Sequence, residues 1–161
     1  MTMKELIAKL KEQPLPKEGR LVQRRDQYIR SVEELIADIK KWLEPAIQDE
    51  IMVLEEFQQS ITEDGVGAYL AKGLKITLKN KEGMTVVIEP AGTMNIGSSG
   101  GRRDRPVASL WGRVELSCGP MRIPFGLTEA GKWKAIPMQG EPAELDEQTF
   151  AEILSEVLLE R

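Results

Sequence analysis

The chain has 161 residues, with 22 Lys and Arg against 26 Asp and Glu for a net charge of -4, and it contains 1 Cys and no His. That length can bury one hydrophobic core without a metal or disulfide staple, so a single domain spanning residues 1–161 is expected. Without His, imidazole acid–base pairs, Ser-His-Asp and Cys-His nucleophiles and His-ligated zinc are out of reach, and Cys118 alone excludes an internal disulfide or a CxxC pair.

Thr2-Met3-Lys4-Glu5 is a capping-box pattern, in which a hydroxyl and a carboxylate each satisfy an amide at a helix start. Met3, Leu6, Ile7 and Leu10 follow at helical spacing, and Pro14-Leu15-Pro16 stops the element, which predicts a short amphipathic helix over residues 3–13. Residues 1–16 therefore read as a docking helix with a hinge, able to pack on its own domain or on a partner.

From Arg20 to Ile47 apolar residues recur every three or four positions, among them Tyr28, Val32, Leu35, Ile36, Ile39 and Leu43. A second capping-box match at Ser31-Val32-Glu33-Glu34 predicts either one long helix or two that meet near Arg30, with Pro45 kinking or ending the element. Residues 51–62 fit helical and strand periods nearly equally. Their β-branched and aromatic content, closed by Glu63-Asp64-Gly65, favours a strand.

The period then changes to two. Leu74, Ile76 and Leu78 alternate with Lys75, Thr77 and Lys79, residues 80–83 supply turn chemistry, and Met84, Val86 and Ile88 resume the alternation as a hairpin. A second hairpin is expected from Val107 to Phe125, turning at Gly119-Pro120, and Trp133 and Ala135 suggest one further short strand. Near the end, Asp146 can cap a helix whose buried stripe is Ile153, Leu154, Val157 and Leu158, with Leu145 stapled to Phe150. The expected class is α+β: amino-terminal helices, an antiparallel β-meander of five or six strands, and a carboxy-terminal helix packed on the sheet.

Charge separates along the chain. Residues 1–30 hold 8 basic and 4 acidic groups, residues 31–64 hold 2 and 10, residues 65–134 hold 11 and 5, and residues 135–161 hold 1 and 7. Acidic helices thus bracket a basic sheet, and such faces ordinarily neutralise one another or meet water. Gathered on one sheet face, Lys75, Lys79, Arg113, Arg122, Lys132 and Lys134 would attract an anionic partner. The Gly/Ser-rich segment at 97–105 adds Arg102, Arg103 and Arg105, whose planar donor forks suit phosphate or carboxylate. Arg102, Arg103, Arg105 and Arg113 are the candidate anion-binding residues. The segment is not a P-loop, because the Lys-Ser/Thr ending is missing, and Gly97, Gly100 and Gly101 do not fit GxGxxG spacing.

Other chemistry is less distinctive. Cys118 alternates with inward positions and reads as a small buried residue. Glu55, Glu56, Glu63 and Asp64 resemble ordinary surface acids, no metal site or cofactor fingerprint emerges, and Trp42, Trp111 and Trp133 suit core packing better than base stacking. No leader pattern opens the chain and no apolar run approaches the roughly 18 residues of a membrane span, which points to a cytoplasmic protein away from membranes. The leading expectation is a non-catalytic protein-interaction or accessory protein, able to form homo-oligomers, with an unidentified protein partner. The alternatives are a nucleic-acid or polyanion binder using the 97–105 loop and basic sheet face, and a carboxylate/Arg enzyme acting on a small anion.

Overall fold

The computed structural model describes residues 1–12, 17–81, 84–93, 110–137 and 141–159. Among them are four helices, α1 (Met3–Glu12), α2 (Lys17–Trp42), α3 (Glu44–Gln48) and α4 (Glu147–Leu159). The strands are β1 (Met52–Glu63), β2 (Gly67–Leu78), β3 (Thr85–Gly92), β4 (Leu110–Cys118), β5 (Met121–Thr128), β6 (Trp133–Ala135) and β7 (Ala143–Glu144). Each strand pairs antiparallel with its sequence neighbour, so the sheet order is β1 to β7 without a crossover. This is the expected α+β meander with one more strand than foreseen, the two-residue β7.

Strand β1 occupies the segment whose period was ambiguous, and its hairpin with β2 keeps one unbroken register from Met52↔Leu78 to Glu63↔Gly67. The two ends of β2 nevertheless bury opposite pleat faces. Leu74, Ile76 and Leu78 are inside at one end, Tyr69 and Ala71 at the other. A two-stranded ribbon twists strongly enough for this, and β2 parts from β3 where the change occurs, since their pairing covers only Leu74–Thr77. Phe57 lies across the side-chain-free face of its partner Gly73, where a Cβ would stand 2.3 Å from the ring.

One core cluster joins the helices to the sheet. Tyr28, Val32, Leu35, Ile36 and Ile39 of α2 and Phe150, Leu154 and Val157 of α4 share it with Ile76, Ile88, Leu116 and Phe125. Trp42 at the end of α2 contacts Phe150 in the first turn of α4 at 5.6 Å between ring centroids. The capping-box pattern at Ser31 does not break α2, which runs on as one helix to Trp42. Ser31 is itself buried and its carbonyl accepts the Trp133 indole N–H at 3.2 Å, so packing outweighs the local cap. Pro45 breaks the run as expected: α2 stops at Trp42 and a separate helix, α3, begins at Glu44. The proline sits in the first turn of α3, where a missing N–H costs nothing.

Asp146 caps α4 as expected, its carboxylate accepting the Thr149 amide at 2.8 Å, and Leu145 and Phe150 are buried in the common core. Among the described residues no helix is long and apolar enough to cross a membrane.

Candidate interaction surface

The capping box at the start of α1 forms as its residues require. The Thr2 amide donates to Glu5 Oε2 and the Glu5 amide to Thr2 Oγ1, both at 3.2 Å. Glu5 in the first turn and Lys9 and Lys11 in the last complement the helix dipole. Yet the stripe that should hold the helix in place touches no core. Met3 is 69% exposed, Leu6 39%, Ile7 45% and Leu10 55%. A helix of ten residues is marginal by itself in water, so an amphipathic one with a bare apolar side is completed by contact with something else.

A second surface lies between the sheet and α4. A groove of about 870 Å³ runs between β5 and α4, floored by Met121, Ile123, Ala135 and Ile153 and edged by Arg122, Glu152 and Glu156. A smaller pocket of about 210 Å³ lies between α2 and β6, where Trp42 and Trp133 meet Glu34, Asp38 and Glu144.

The candidate anion-binding residues fare differently from one another. Arg102, Arg103 and Arg105 lie outside the described residues. Arg113 is on β4, and the register sets it beside Gly126 and Lys134 on the sheet face opposite the core. On the same face a second row runs from Lys75 through Val87 and Ser117 to Arg122. Several of the basic groups expected on one face therefore do share it. The two arginines among them are compensated: Glu115 between the rows accepts from Arg113 Nη2 at 2.6 Å and from Arg122 Nη1 at 2.9 Å. Burial works against ionisation of Glu115, but hydrogen bonds from Arg122 and Arg113 and their charges outweigh it and hold the carboxyl below its usual range. Arg113 Nε is buried without a hydrogen-bond partner among the described residues.

Strands β3 and β4 slip register at Ala91, between the pairs Pro90↔Val114 and Gly92↔Arg113. Such a bulge removes amides from the ladder, and Tyr28 of α2 satisfies them: its phenol oxygen accepts Ala91 N–H at 3.1 Å and Gly92 N–H at 3.0 Å while donating to the Arg113 carbonyl at 2.6 Å. Gly92 has φ 102°, a conformation that suits glycine, and a Cβ there would press on Glu63 Oε1 at 3.1 Å. Glu63 completes the arrangement by accepting Tyr69 O–H on one oxygen and both the amide and hydroxyl of Thr93 on the other.

Burial, with the nearby Glu63 charge, pushes the Tyr28 phenol well above its ordinary range. Burial and the hydrogen bond to Glu63 do the same for Tyr69. Both phenols therefore stay protonated at neutral pH and every polar atom of the group has an internal partner, which is the condition of an anchor more than of an acid–base pair. This anchor was not foreseen. Tyr28 reads in the sequence as one more apolar stripe residue and Glu63 as one more surface acid, because their partners are backbone groups far along the chain.

Two of the three tryptophans are packed into the core. Trp111 is buried and donates to the Thr128 carbonyl at 3.0 Å, with the Arg24 guanidinium 4.8 Å from its ring, and Trp133 is buried against Ser31. Cys118 is buried at 2% exposure. Glu56 forms ion pairs with Lys40 at 2.8 Å and Lys72 at 3.6 Å. Among the described residues no group of three or more Cys, Asp or Glu is placed to hold a metal ion. No protein-family model matches the chain, and no curated protein or solved structure was found to be similar to it.

Proposed function

We propose that the protein is a non-catalytic cytosolic interaction or accessory protein that engages its partner through α1. The observation that carries this reading is the apolar stripe of Met3, Leu6, Ile7 and Leu10 on a capped, basic-ended helix, none of which joins the core of its own chain. Isolated exposed apolar residues are ordinary, whereas four in register on one helical face are the pattern of an element that docks in a groove. The absence of His from the whole sequence and the fully satisfied Tyr28–Glu63–Tyr69 group point the same way.

The test compares the 161-residue chain with a Leu6→Ser/Leu10→Ser variant by cross-linking followed by identification of what is joined to each. Both side chains are exposed, so the variant should keep its unfolding midpoint while losing its associations. If the variant retains the same associations as the parent, α1 is not the docking element and the reading fails.

A further inference from the structure

We infer that the partner of α1 is the β5–α4 groove of a second copy of this chain, so that two copies exchange their amino-terminal helices. This inference rests on the interaction reading above and adds the occupant.

Three observations meet in it. First, helix and groove complement each other in apolar content. The stripe of Met3, Leu6, Ile7 and Leu10 is bare, and Met121, Ile123, Ala135 and Ile153 floor a groove of about 870 Å³. Second, α1 and the α4 edge of the groove carry opposite charge, while Arg122 on the β5 edge is already held by Glu115. α4 carries Glu147, Glu152 and Glu156 and no basic residue from Glu147 to Leu159, while α1 carries Lys4, Lys9 and Lys11. At 100° per residue Lys4 and Lys11 flank the stripe on one side and Lys9 on the other, whereas Glu5 points away. A helix lying stripe-down beside α4 thus presents lysines to Glu152 and Glu156. Third, the lengths are comparable: the ten residues of α1 extend about 15 Å, and the eight residues of α4 that span the groove, Thr149 to Glu156, about 12 Å.

Exchange also explains why the stripe stays bare in the single chain. Each copy offers one helix and one groove, so a reciprocal pair closes with twofold symmetry and leaves neither unfilled. Packing α1 only against another α1 would face lysines with lysines and cover no more than two short stripes.

The test is sedimentation equilibrium of the 161-residue chain over a wide concentration range, expected to show a monomer–dimer equilibrium. Reversing the groove edge with Glu152→Lys/Glu156→Lys should weaken the dimer roughly tenfold or more, as should Lys4→Glu/Lys11→Glu on the helix. Combining the two sets should recover most of the loss, a result that damage to folding would not produce. A dimer indifferent to the α4 reversals but broken by Leu6→Ser/Leu10→Ser overturns the groove while leaving α1 as an interaction element. A monomeric mass at every concentration overturns the exchange. The interaction reading falls with it only if the stripe variant also leaves every cross-linked association unchanged.

Discussion

Tyr28 carries an unusual share of the polar order in the core, since one phenol oxygen serves two bulge amides and returns a proton to the strand opposite. Tyr28→Phe keeps the ring but leaves those groups without a partner, and each orphaned buried group costs about 1–3 kcal/mol. Urea unfolding should show a lower midpoint with an unchanged slope. The same phenol links stability to alkali. Because Tyr28 and Tyr69 hold their protons more tightly folded than unfolded, their contribution is complete below the ordinary phenol pKa of about 10 and is lost as pH rises beyond it. The unfolding midpoint should therefore hold level up to about pH 9 and fall from about pH 10 to about pH 12, less steeply in Tyr28→Phe. An equal slope in both proteins would mean that the alkaline loss arises elsewhere.

Among the elements, packing against Tyr28 sets the choice of glycine on β4. A Cβ at Gly112 would lie 2.9 Å from the Tyr28 ring and 3.1 Å from Leu127 Cβ, and the ring is pinned at its hydroxyl. Gly112→Ala is expected to destabilise by about 1–3 kcal/mol, whereas Gly73→Ala should cost less, because the half-exposed Phe57 ring above it can swing toward solvent. Thermal unfolding of the two variants side by side checks the order. Elements with a sustained period were legible in the sequence: the α1 stripe, the long stripe of α2, and the alternations at Leu74–Ile88 and Val114–Ile123. Others had no signal to give. β7 is two residues long and carries no period, the buried phase of β2 reverses between Ala71 and Leu74, and the cap-like pattern at Ser31 is overridden by a contact 102 residues away. Of the surfaces proposed to act, α1 was legible because its pattern is local, and the groove was not, because β5, β6 and α4 meet only in the fold.

At the scale of the molecule, α2 and α4 share one core with the sheet. The five buried side chains of α4, worth about 1.5–3 kcal/mol each, are comparable with the roughly 5–15 kcal/mol of net stability of an ordinary domain. A chain stopped after residue 145 should therefore lose cooperative unfolding and bind a hydrophobic dye such as ANS, although every strand is still encoded. A sharp transition with no dye binding would show that α2 alone suffices to cover the sheet.

Because the strands stand in the sheet in the order of the chain, they also leave the ribosome in that order. Each emerging strand finds its neighbour already displayed, and α2 has been released before any of them, so the meander can grow one hairpin at a time without waiting for a distant partner. The exception is the surface beneath α4, which follows every strand. Until that helix emerges, Trp42 and the neighbouring core stand uncovered, and that interval is when a nascent chain is most exposed to a chaperone or to the unfinished copy beside it on the same message.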